Sequence, residues 1–360
     1  MTDYTLPIEV PGLKYYKIHE RFELEAGGSL EGITIAYHSY GTLNAKKDNV
    51  IWVCHALTAN SDPTDWWSGL FGSGKLFDPD KHFIVCANIL GSCYGSTGPR
   101  SIDRSTGRPY GLDFPLVSIR DQVKAHALLS KHLGIKEIEI AIGGSCGGNQ
   151  VLEMCLNPDL LINKAILLVS SAKESAWSIA VHEAQRMTLK ASQDFFGNAN
   201  SSGAKALEAA RAIGMINYRT YQQFINTQTD TENSFTELKA SSYMRYQGKK
   251  LRNRFYAHCY FSLLNSLDTH DIGRNRGGIE PALSRIESSV LTISIDSDIL
   301  IPVAEQKKIS KHITDSTHKV ISSNYGHDGF LIEAQKIEDE IRAFLSIDSI
   351  VNSKVKHYVF

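Results

Sequence analysis

Residues 137 to 148 read Glu-Ile-Glu-Ile-Ala-Ile-Gly-Gly-Ser-Cys-Gly-Gly, and this stretch decides the fold. Its first half alternates polar and apolar residues as a strand does, and residues 149–156 after it have a helical pattern. Between them lies Gly-x-Ser-x-Gly, a strand-to-helix turn that holds a serine hydroxyl above the edge of a sheet. Glycines let the strand and the helix approach closely, while the turn strains the serine backbone. We therefore predict that Ser145 is a nucleophile.

Short apolar runs alternate with helical patterns on both sides of this turn. Such alternation predicts a parallel sheet that is covered by helices on both faces. Together with the turn at Ser145, it predicts an α/β protein with the α/β-hydrolase fold, a mostly parallel central sheet. The further predicted strands are 32–40, 50–54, 83–89, 164–170, 290–295 and 318–322, and the predicted helices are 118–133, 303–312 and 331–345.

The segment from 174 to 285 breaks this rhythm, because it has helical patterns and almost no strand pattern. We predict a hydrolase core made of residues 1–173 and 286–360, with a helical lid inserted at 174–285. Insertions of this length in a compact domain are usually functional. The alternative is a separately folding helical domain that has no role in the site. The predicted lid helices are 176–191, 204–215 and 218–226, with more helix within 244–266.

A serine hydroxyl needs a base to remove its proton and an acid to orient that base. In this fold the chain order is serine, then Asp or Glu, then histidine. The last predicted strand leads into Asn-Tyr-Gly-His-Asp-Gly at 324–329, so we predict His327 as the base. The strand at 290–295 leads into Asp296-Ser297-Asp298. Spacing alone leaves both Asp296 and Asp298 open as the acid.

An acyl-transfer site also needs two amides that bind the developing oxyanion. The amide of Cys146, next to the nucleophile, is one candidate. The loop after the strand at 50–54 supplies the other, and we predict that its donor is Leu57. The cysteine thiol itself is not the predicted nucleophile, because the turn places residue 145 at its apex.

The bulk composition excludes several classes of function. The chain has 360 residues, 42% hydrophobic and 21% charged, which is ordinary for a soluble globular protein. Its net charge of -1 gives no global attraction to nucleic acid or to an anionic membrane. The six cysteines form no CxxC pair, and no cluster has metal-ligand spacing. With no signal-peptide pattern and no membrane-spanning run, we predict a cytoplasmic protein without a metal.

The sequence resembles the homoserine O-acetyltransferase family over residues 10 to 345. The blocks at 88–99 and 106–115 are specific to that family, whereas a bare Gly-x-Ser-x-Gly is not. Further blocks that carry the resemblance are His-Ala-Leu-Thr at 55–58, Ser-Ile-Arg-Asp at 118–121, Gly-Gly-Ser-Cys-Gly-Gly at 143–148, Asp298 with Leu300 and Pro302, and Gly-His-Asp-Gly-Phe-Leu at 326–331.

The resemblance implies acyl transfer from acetyl-CoA to the hydroxyl of L-homoserine, in methionine biosynthesis, through an acyl-serine. Its Asp-x-Leu-x-Pro pattern assigns the acid to Asp298. It implies that Arg211 and Asp328 hold the carboxylate and the amine of homoserine, and that Thr58 and Tyr218 complete the pocket. It also implies a homodimer formed through the helical lid. Acetyl-CoA is then a co-substrate, and no cofactor is bound permanently.

Three alternatives stay open. Cys146, Asn149 and Ser92 depart from the usual residues of the family around the elbow and the acyl pocket, so the donor is acetyl-CoA or succinyl-CoA. Serine is a possible acceptor, because one methylene fewer costs only about 1–3 kcal/mol in an apolar pocket. The third alternative is an esterase or thioesterase that uses the same three residues on water.

Overall fold

The computed structural model describes residues 10–197, 203–231 and 235–355, with side chains described as far as residue 346. Ten strands lie in this part of the chain, eight in a central sheet and two in a small ribbon, β5 and β6. The strands are β1 Lys14–Glu23, β2 Ser29–Tyr40, β3 Val50–Cys54, β4 Phe83–Ala87, β5 Ile102–Asp103, β6 Arg108–Pro109, β7 Ile138–Gly144, β8 Ile162–Leu168, β9 Ser289–Ile295 and β10 Ser316–Ile321.

The central sheet is mostly parallel, as the sequence predicts. Its strand order is β1-β2-β4-β3-β7-β8-β9-β10, and β2 alone runs against its neighbours. Strand β3 is buried along its whole length, which is typical of a parallel strand covered on both faces. Val50, Trp52 and Cys54 join one hydrophobic cluster, while Ile51 and Val53 join the cluster on the opposite face.

Helices cover the sheet and form the segment between β8 and β9. They are α1 Pro63–Trp66, α2 Ile119–His132, α3 Cys146–Cys155, α4 Ala176–Lys190, α5 Ala204–Tyr218, α6 Tyr221–Gln228, α7 Lys239–Arg252, α8 Ala257–Asp268, α9 Ile279–Leu283, α10 Val303–His312, α11 Gly329–Ile332 and α12 Ala334–Val355. Short 3₁₀ turns occupy Gly111–Asp113, Gln193–Phe196 and Gly326–Asp328.

Local chemistry explains where α2 begins and corrects where α3 begins. Ser118 caps α2, because its hydroxyl accepts from the amide of Asp121 and the Asp121 carboxylate accepts from the amide of Ser118. The expected start of α3 at Asn149 is wrong by three residues, since the helix begins at Cys146. Gly147 and Gly148 take helical angles here, although glycine alone is a weak helix former.

Strand β1 has no counterpart among the predicted strands. Only Ile18 and Phe22 are buried in it, and they are four residues apart. Its pairing with β2 shifts register between Ile18 and Arg21, and Glu20 between the two buried residues is exposed, so the strand shows no run of alternating apolar residues. An edge strand with charged side chains and a bulge avoids pairing with other chains, and those same features hide it from pattern analysis.

The segment between β8 and β9 leaves and rejoins the sheet at one place. Lys173 and Asp271 form an antiparallel bridge, and the amide of Ile272 donates to the carbonyl of Ala172 at 3.0 Å. Helices α4 to α8 lie between these two crossings. The short helix α9 follows them, and its Leu283 joins the hydrophobic cluster of the sheet.

Candidate active site

The turn after β7 holds Ser145 in a strained conformation. Its φ of 57° and ψ of −126° lie where residues with a side chain are rare. The amide of Ser145 donates to the carbonyl of Leu168 at 2.9 Å, and the hydroxyl of Ser170 donates to the Ser145 carbonyl at 3.1 Å. Strand β8 and its following loop therefore anchor the backbone on both sides of the residue. This leaves the serine hydroxyl free to point out of the turn.

Close backbone contacts explain the glycines of this turn. A Cβ on Gly143 would lie 2.4 Å from the carbonyl of Gly147, and a Cβ on Gly147 would lie 2.2 Å from the carbonyl oxygen of Cys54. Both distances are far below van der Waals contact, and backbone atoms cannot rotate away. The two glycines therefore allow α3 to rest directly against β7 and against the chain that leaves β3.

The structure brings together the three residues of the predicted triad. The Nε2 of His327 lies 2.8 Å from the Oγ of Ser145, and its Nδ1 lies 2.7 Å from an Oδ of Asp298. Ser145, Asp298 and His327 follow β7, β9 and β10, so the carboxyl ends of parallel strands place them at one edge of the sheet. The other Oδ of Asp298 accepts from the amides of Leu300 and Ile301 at 2.8 and 2.9 Å. These bonds fix the carboxylate that orients the imidazole.

Asp296, the other acid that the sequence leaves open, makes a different contact. Asp296 accepts a hydrogen bond from the amide of Ser323 at 3.0 Å. It thereby ties the loop after β9 to the loop after β10. Of these two carboxylates, only Asp298 forms a hydrogen bond with His327. This contact agrees with the acid that the resemblance implies.

Opposing effects set the protonation of His327, which is 4% exposed. Burial lowers the pKa of this imidazole, but the charge and hydrogen bond of Asp298 raise it, with further help from Asp328 and Glu174. The net effect raises the pKa of His327 above its ordinary value. A base with a raised pKa accepts the serine proton readily and stays neutral only at higher pH.

The two predicted oxyanion donors lie on segments that touch each other. Cys146 is the first residue of α3, so its amide has no partner within the helix. Its Sγ is 3.7 Å from the carbonyl of His55, and the side chain of Gln150 donates to the same carbonyl at 3.3 Å. These contacts hold the loop that carries Leu57 against the start of α3. Burial raises the pKa of the Cys146 thiol to about 12, so this sulfur stays protonated.

Two of the predicted substrate residues lie beside each other, and one of them lies near the ring of His327. The guanidinium of Arg211 lies 5.2 Å from the ring centre of Tyr218, and that ring is 5.9 Å from the ring of His327. Both residues belong to α5. This helix of the predicted lid therefore brings a cation and a phenol to the side of His327.

Asp328 has a partner that the sequence did not reveal. Its carboxylate forms an ion pair with the Nε of Arg219 at 2.9 Å, and both side chains are largely buried. Arg219 directly follows the end of α5. Adjacency to Tyr218 was the one available signal for this residue, and adjacency alone does not indicate an ion pair.

Thr58 is likewise held by a residue that sequence reasoning missed. The guanidinium of Arg254 donates to the carbonyl of Thr58 and to the hydroxyl of Tyr94, the latter at 2.6 Å. Arg254 lies between α7 and α8. It therefore connects the predicted lid to the loop that carries Leu57 and Thr58.

The described residues contain neither a metal-binding cluster nor a membrane-spanning helix. Across 10–197, 203–231 and 235–355, no three His, Cys, Asp or Glu side chains lie close enough to hold a metal ion. In the same ranges, no helix has both the length and the apolar character needed to cross a membrane.

Comparisons with known proteins agree with this geometry. The model of the α/β hydrolase fold family matches residues 49–334. A homoserine O-acetyltransferase from Cyclobacterium marinum is 46% identical over 339 residues, which are 94% of this chain and 96% of that protein. The crystal structure of a homoserine O-acetyltransferase from Staphylococcus aureus is 26% identical, with a TM-score of 0.78, and the match covers 92% of this chain and 94% of that one.

An esterase shares the same architecture. The crystal structure of the L374D mutant of esterase E22 has a TM-score of 0.84 at 24% identity, covering 92% of this chain and 99% of that one. At such identity the likeness shows the fold alone. The relative at 46% identity covers nearly the whole chain. The α/β-hydrolase fold is thus confirmed, and the chain belongs to the homoserine O-acetyltransferase family, a family of acyltransferases.

Proposed function

We propose that this protein transfers the acetyl group of acetyl-CoA to the side-chain hydroxyl of L-homoserine, a step of methionine biosynthesis. The observation that carries the proposal is the hydrogen-bonded chain from Ser145 through His327 to Asp298, with Arg211 and Tyr218 of α5 above it. The first group is suited to acyl transfer, and the second is suited to hold an amino acid as the acceptor. The relative at 46% identity is a homoserine O-acetyltransferase, which supports this activity.

In the first half of the reaction, Ser145 becomes acylated. His327 takes the proton of the Ser145 hydroxyl as its oxygen attacks the thioester carbon, and Asp298 stabilises the imidazolium. The amides of Leu57 and Cys146 bind the oxyanion. The carbon–sulfur bond then breaks, and the CoA thiolate leaves with the proton that His327 returns. An acetyl-serine and free CoA result.

In the second half, homoserine replaces CoA. His327 removes the proton of the homoserine hydroxyl, whose oxygen attacks the acetyl carbon, and Ser145 regains a proton as it leaves. Water competes for the same ester. The enzyme must therefore orient the alcohol and exclude water, and we assign this task to the helices between β8 and β9.

The acceptor is held by its two charged groups. The planar guanidinium of Arg211 can bind the α-carboxylate through two parallel hydrogen bonds. Asp328 attracts the α-ammonium group, which then shares this carboxylate with Arg219. Thr58, fixed by Arg254, completes the pocket together with Tyr218.

The decisive test is the consumption of acetyl-CoA with and without homoserine. We expect CoA release to depend on homoserine, with O-acetylhomoserine as the product. Ser145→Ala should abolish this transfer and also the cleavage of p-nitrophenyl acetate, whereas Arg211→Gln should raise the KM for homoserine and leave ester cleavage nearly intact. Consumption that is indifferent to homoserine would favour an esterase or thioesterase. Faster reaction with serine or with succinyl-CoA would name another acceptor or donor.

We also propose a homodimer that forms through the helical lid. Large apolar side chains on this segment are more than half exposed, among them Met187, Phe196 and Tyr221. We propose that these side chains are buried together where two protomers meet, because large apolar patches mark interaction sites. Light scattering after gel filtration should give a mass near twice the 39.9 kDa of the chain, and Tyr221→Glu should lower it. A monomer at all concentrations would refute the proposal.

A further inference from the structure

Helix α7 carries a concentration of positive charge that has no role in the reaction described so far. The chain as a whole has a net charge of -1. The sequence of α7 contains no acid, and its cations are Lys239, Arg245, Lys249, Lys250 and Arg252. A surface that concentrates one sign of charge raises the local concentration of ligands with the opposite sign.

Three exposed side chains lie along one side of this helix and of the turn that follows it. The amide of Phe255 donates to the carbonyl of Leu251 at 2.9 Å, so the helical turn continues past the end of α7. Residues four apart on such turns lie on the same side. Tyr246, Lys250 and Arg254 therefore form one stripe, which we call the α7 stripe. All three are exposed, and the exposed fraction of Tyr246 is 60%.

The α7 stripe begins at the candidate active site. The guanidinium of Arg254 donates to the carbonyl of Thr58, and it also lies 3.4 Å from the hydroxyl of the same residue. Thr58 directly follows Leu57, whose amide is a proposed oxyanion donor. The thioester of an acyl donor must therefore lie near this end of the stripe. Lys250 and Tyr246 lie about one and two helical turns back along α7, at about 5.4 Å a turn.

The positive charges of the α7 stripe are not neutralised by the protein. The hydrogen-bond partners of Arg254 are neutral oxygens of Thr58 and Tyr94. In the part of the chain that the structure describes, neither Lys250 nor Arg254 forms an ion pair with a carboxylate. An anionic ligand would find two cations here that have no competing partner.

A second opening beside the catalytic loop is less suited to an anion. A polar cavity between α6 and the loop that precedes His327 is lined by amide and hydroxyl side chains, among them Gln223 and Asn324. Of the described residues that line it, Lys336 is the one cation, and this lysine pairs with Glu333 at 3.1 Å. A ligand with several phosphates therefore fits the α7 stripe better than this cavity.

The proposed acyl donor has the chemistry that the α7 stripe would recognise. Acetyl-CoA carries its thioester at one end of a pantetheine arm, and a diphosphate, a 3′-phosphate and an adenine at the other. Lysine and arginine side chains bind phosphates through charge-assisted hydrogen bonds. An exposed aromatic ring is a platform on which a base stacks.

We propose that the α7 stripe binds the 3′-phospho-ADP part of acetyl-CoA, with the phosphates at Lys250 and Arg254 and the adenine on the ring of Tyr246. This inference rests on the proposed transfer from acetyl-CoA. It gives the donor a binding region outside the acyl pocket, and it assigns Lys250 and Tyr246 to donor binding and not to the chemical steps.

The test compares acetyl-CoA with S-acetylpantetheine, which keeps the acyl group and the pantetheine arm but lacks the phosphates and the adenosine. Release of the thiol is followed at saturating homoserine. Lys250→Gln should raise the KM for acetyl-CoA about fivefold, and Tyr246→Ala should raise it at least about fivefold. Neither change should alter kcat/KM for S-acetylpantetheine. Lys250→Arg should keep the KM of the wild type.

Arg245→Gln is the matched control. It removes an equal charge from an exposed position of the same helix, about 140° around the helix axis from Lys250. Its KM for acetyl-CoA should equal that of the wild type. Raising the salt concentration from about 50 to about 200 mM should raise the KM of the wild type for acetyl-CoA, and should raise it less in Lys250→Gln.

Three results would overturn the inference. The KM for acetyl-CoA could stay unchanged in Lys250→Gln, as it would if the stripe served another phosphate compound or a nucleic acid. The two donors could be affected equally, or Arg245→Gln could have the same effect as Lys250→Gln. A rise in Lys336→Gln alone would place the phosphates at the polar cavity and would also contradict the proposal.

Failure of the proposed function looks different. Thiol release from both donors would then be indifferent to homoserine in the wild type, and the comparison of KM values would still decide for or against the α7 stripe. Circular dichroism of each variant shows whether a changed rate reflects lost folding.

Discussion

His327 takes its properties from the residues that surround it, and these properties can be measured. Burial alone would lower the pKa of its imidazole, and the carboxylate of Asp298 reverses that effect. Because the neutral imidazole is the base, the rate of acylation should fall as the pH falls through the raised pKa of His327. The rate is lost on the acid side because the pKa of His327 lies above its ordinary value and protonation removes the base.

Asp298→Asn should move the midpoint of this pH profile to lower pH, because burial then acts without the opposing charge. It should also lower kcat by roughly 10³–10⁴-fold, since the imidazole loses the group that fixes its tautomer. Cleavage of p-nitrophenyl acetate between about pH 5 and 9 measures both effects. Asp296→Asn is the matched control and should keep the midpoint. An unchanged midpoint in Asp298→Asn would contradict the assignment.

Sequence reasoning reached some of these residues and missed others for a physical reason. Ser145 and His327 could be predicted because each follows a predicted strand in a loop with glycines. Asp296 and Asp298 are two residues apart, and only their hydrogen bonds separate them. Arg254 and Arg219 act through contacts with residues that are distant in sequence. A single sequence carries no signal for such contacts.

At the level of elements, the elbow depends on how closely β7 and α3 can approach. Gly147→Ala should destabilise the protein by about 1–3 kcal/mol, because the new Cβ cannot fit beside the carbonyl of Cys54. It should also lower kcat, since any shift of α3 moves the amide of Cys146. Urea unfolding and ester cleavage measure the two effects.

Gly74→Ala is the control for Gly147→Ala. Its Cβ would meet no atom within 4 Å, although its φ of 72° adds backbone strain. It should therefore lower the free energy of unfolding while leaving kcat unchanged. Equal loss of kcat in both variants would show that the close approach at Gly147 is not what matters.

Patterns predicted the buried elements better than the exposed ones. Strand β3 is apolar along its whole length and begins and ends where the sequence places it. Strand β1 was missed, because an edge strand that packs only Ile18 and Phe22 shows no regular alternation. Helix α3 begins early for a related reason, since its first turn is set by contacts with β3 rather than by helix propensity.

At the scale of the whole molecule, Arg254 connects the helical segment to the candidate active site. This residue holds the carbonyl of Thr58 and the hydroxyl of Tyr94 from the connection between α7 and α8. Arg254→Gln should weaken the attachment of the helical segment to the loop that carries Thr58. We expect hydrolysis of acetyl-CoA to rise several-fold relative to transfer, because water then competes better for the acyl-serine. Product analysis at saturating homoserine gives this ratio.

Arg252→Gln is the matched control, because Arg252 pairs with Glu208 inside the helical segment. It removes a similar charge two residues away and leaves the contacts to Thr58 intact. Its ratio of hydrolysis to transfer should stay at the value of the unaltered protein. A similar rise in both variants would attribute the effect to general loosening of the helices.

The bridge between Lys173 and Asp271 has a wider consequence for how such enzymes diversify. Residues 173 and 271 pair with each other, so the segment that contains helices α4 to α8 begins and ends at the same place. A segment of this kind can be replaced or shortened without changing the order of the strands in the sheet. Because one fold can host different reactions, a chimera that exchanges residues 174–270 with those of an esterase tests whether this segment decides between hydrolysis and transfer.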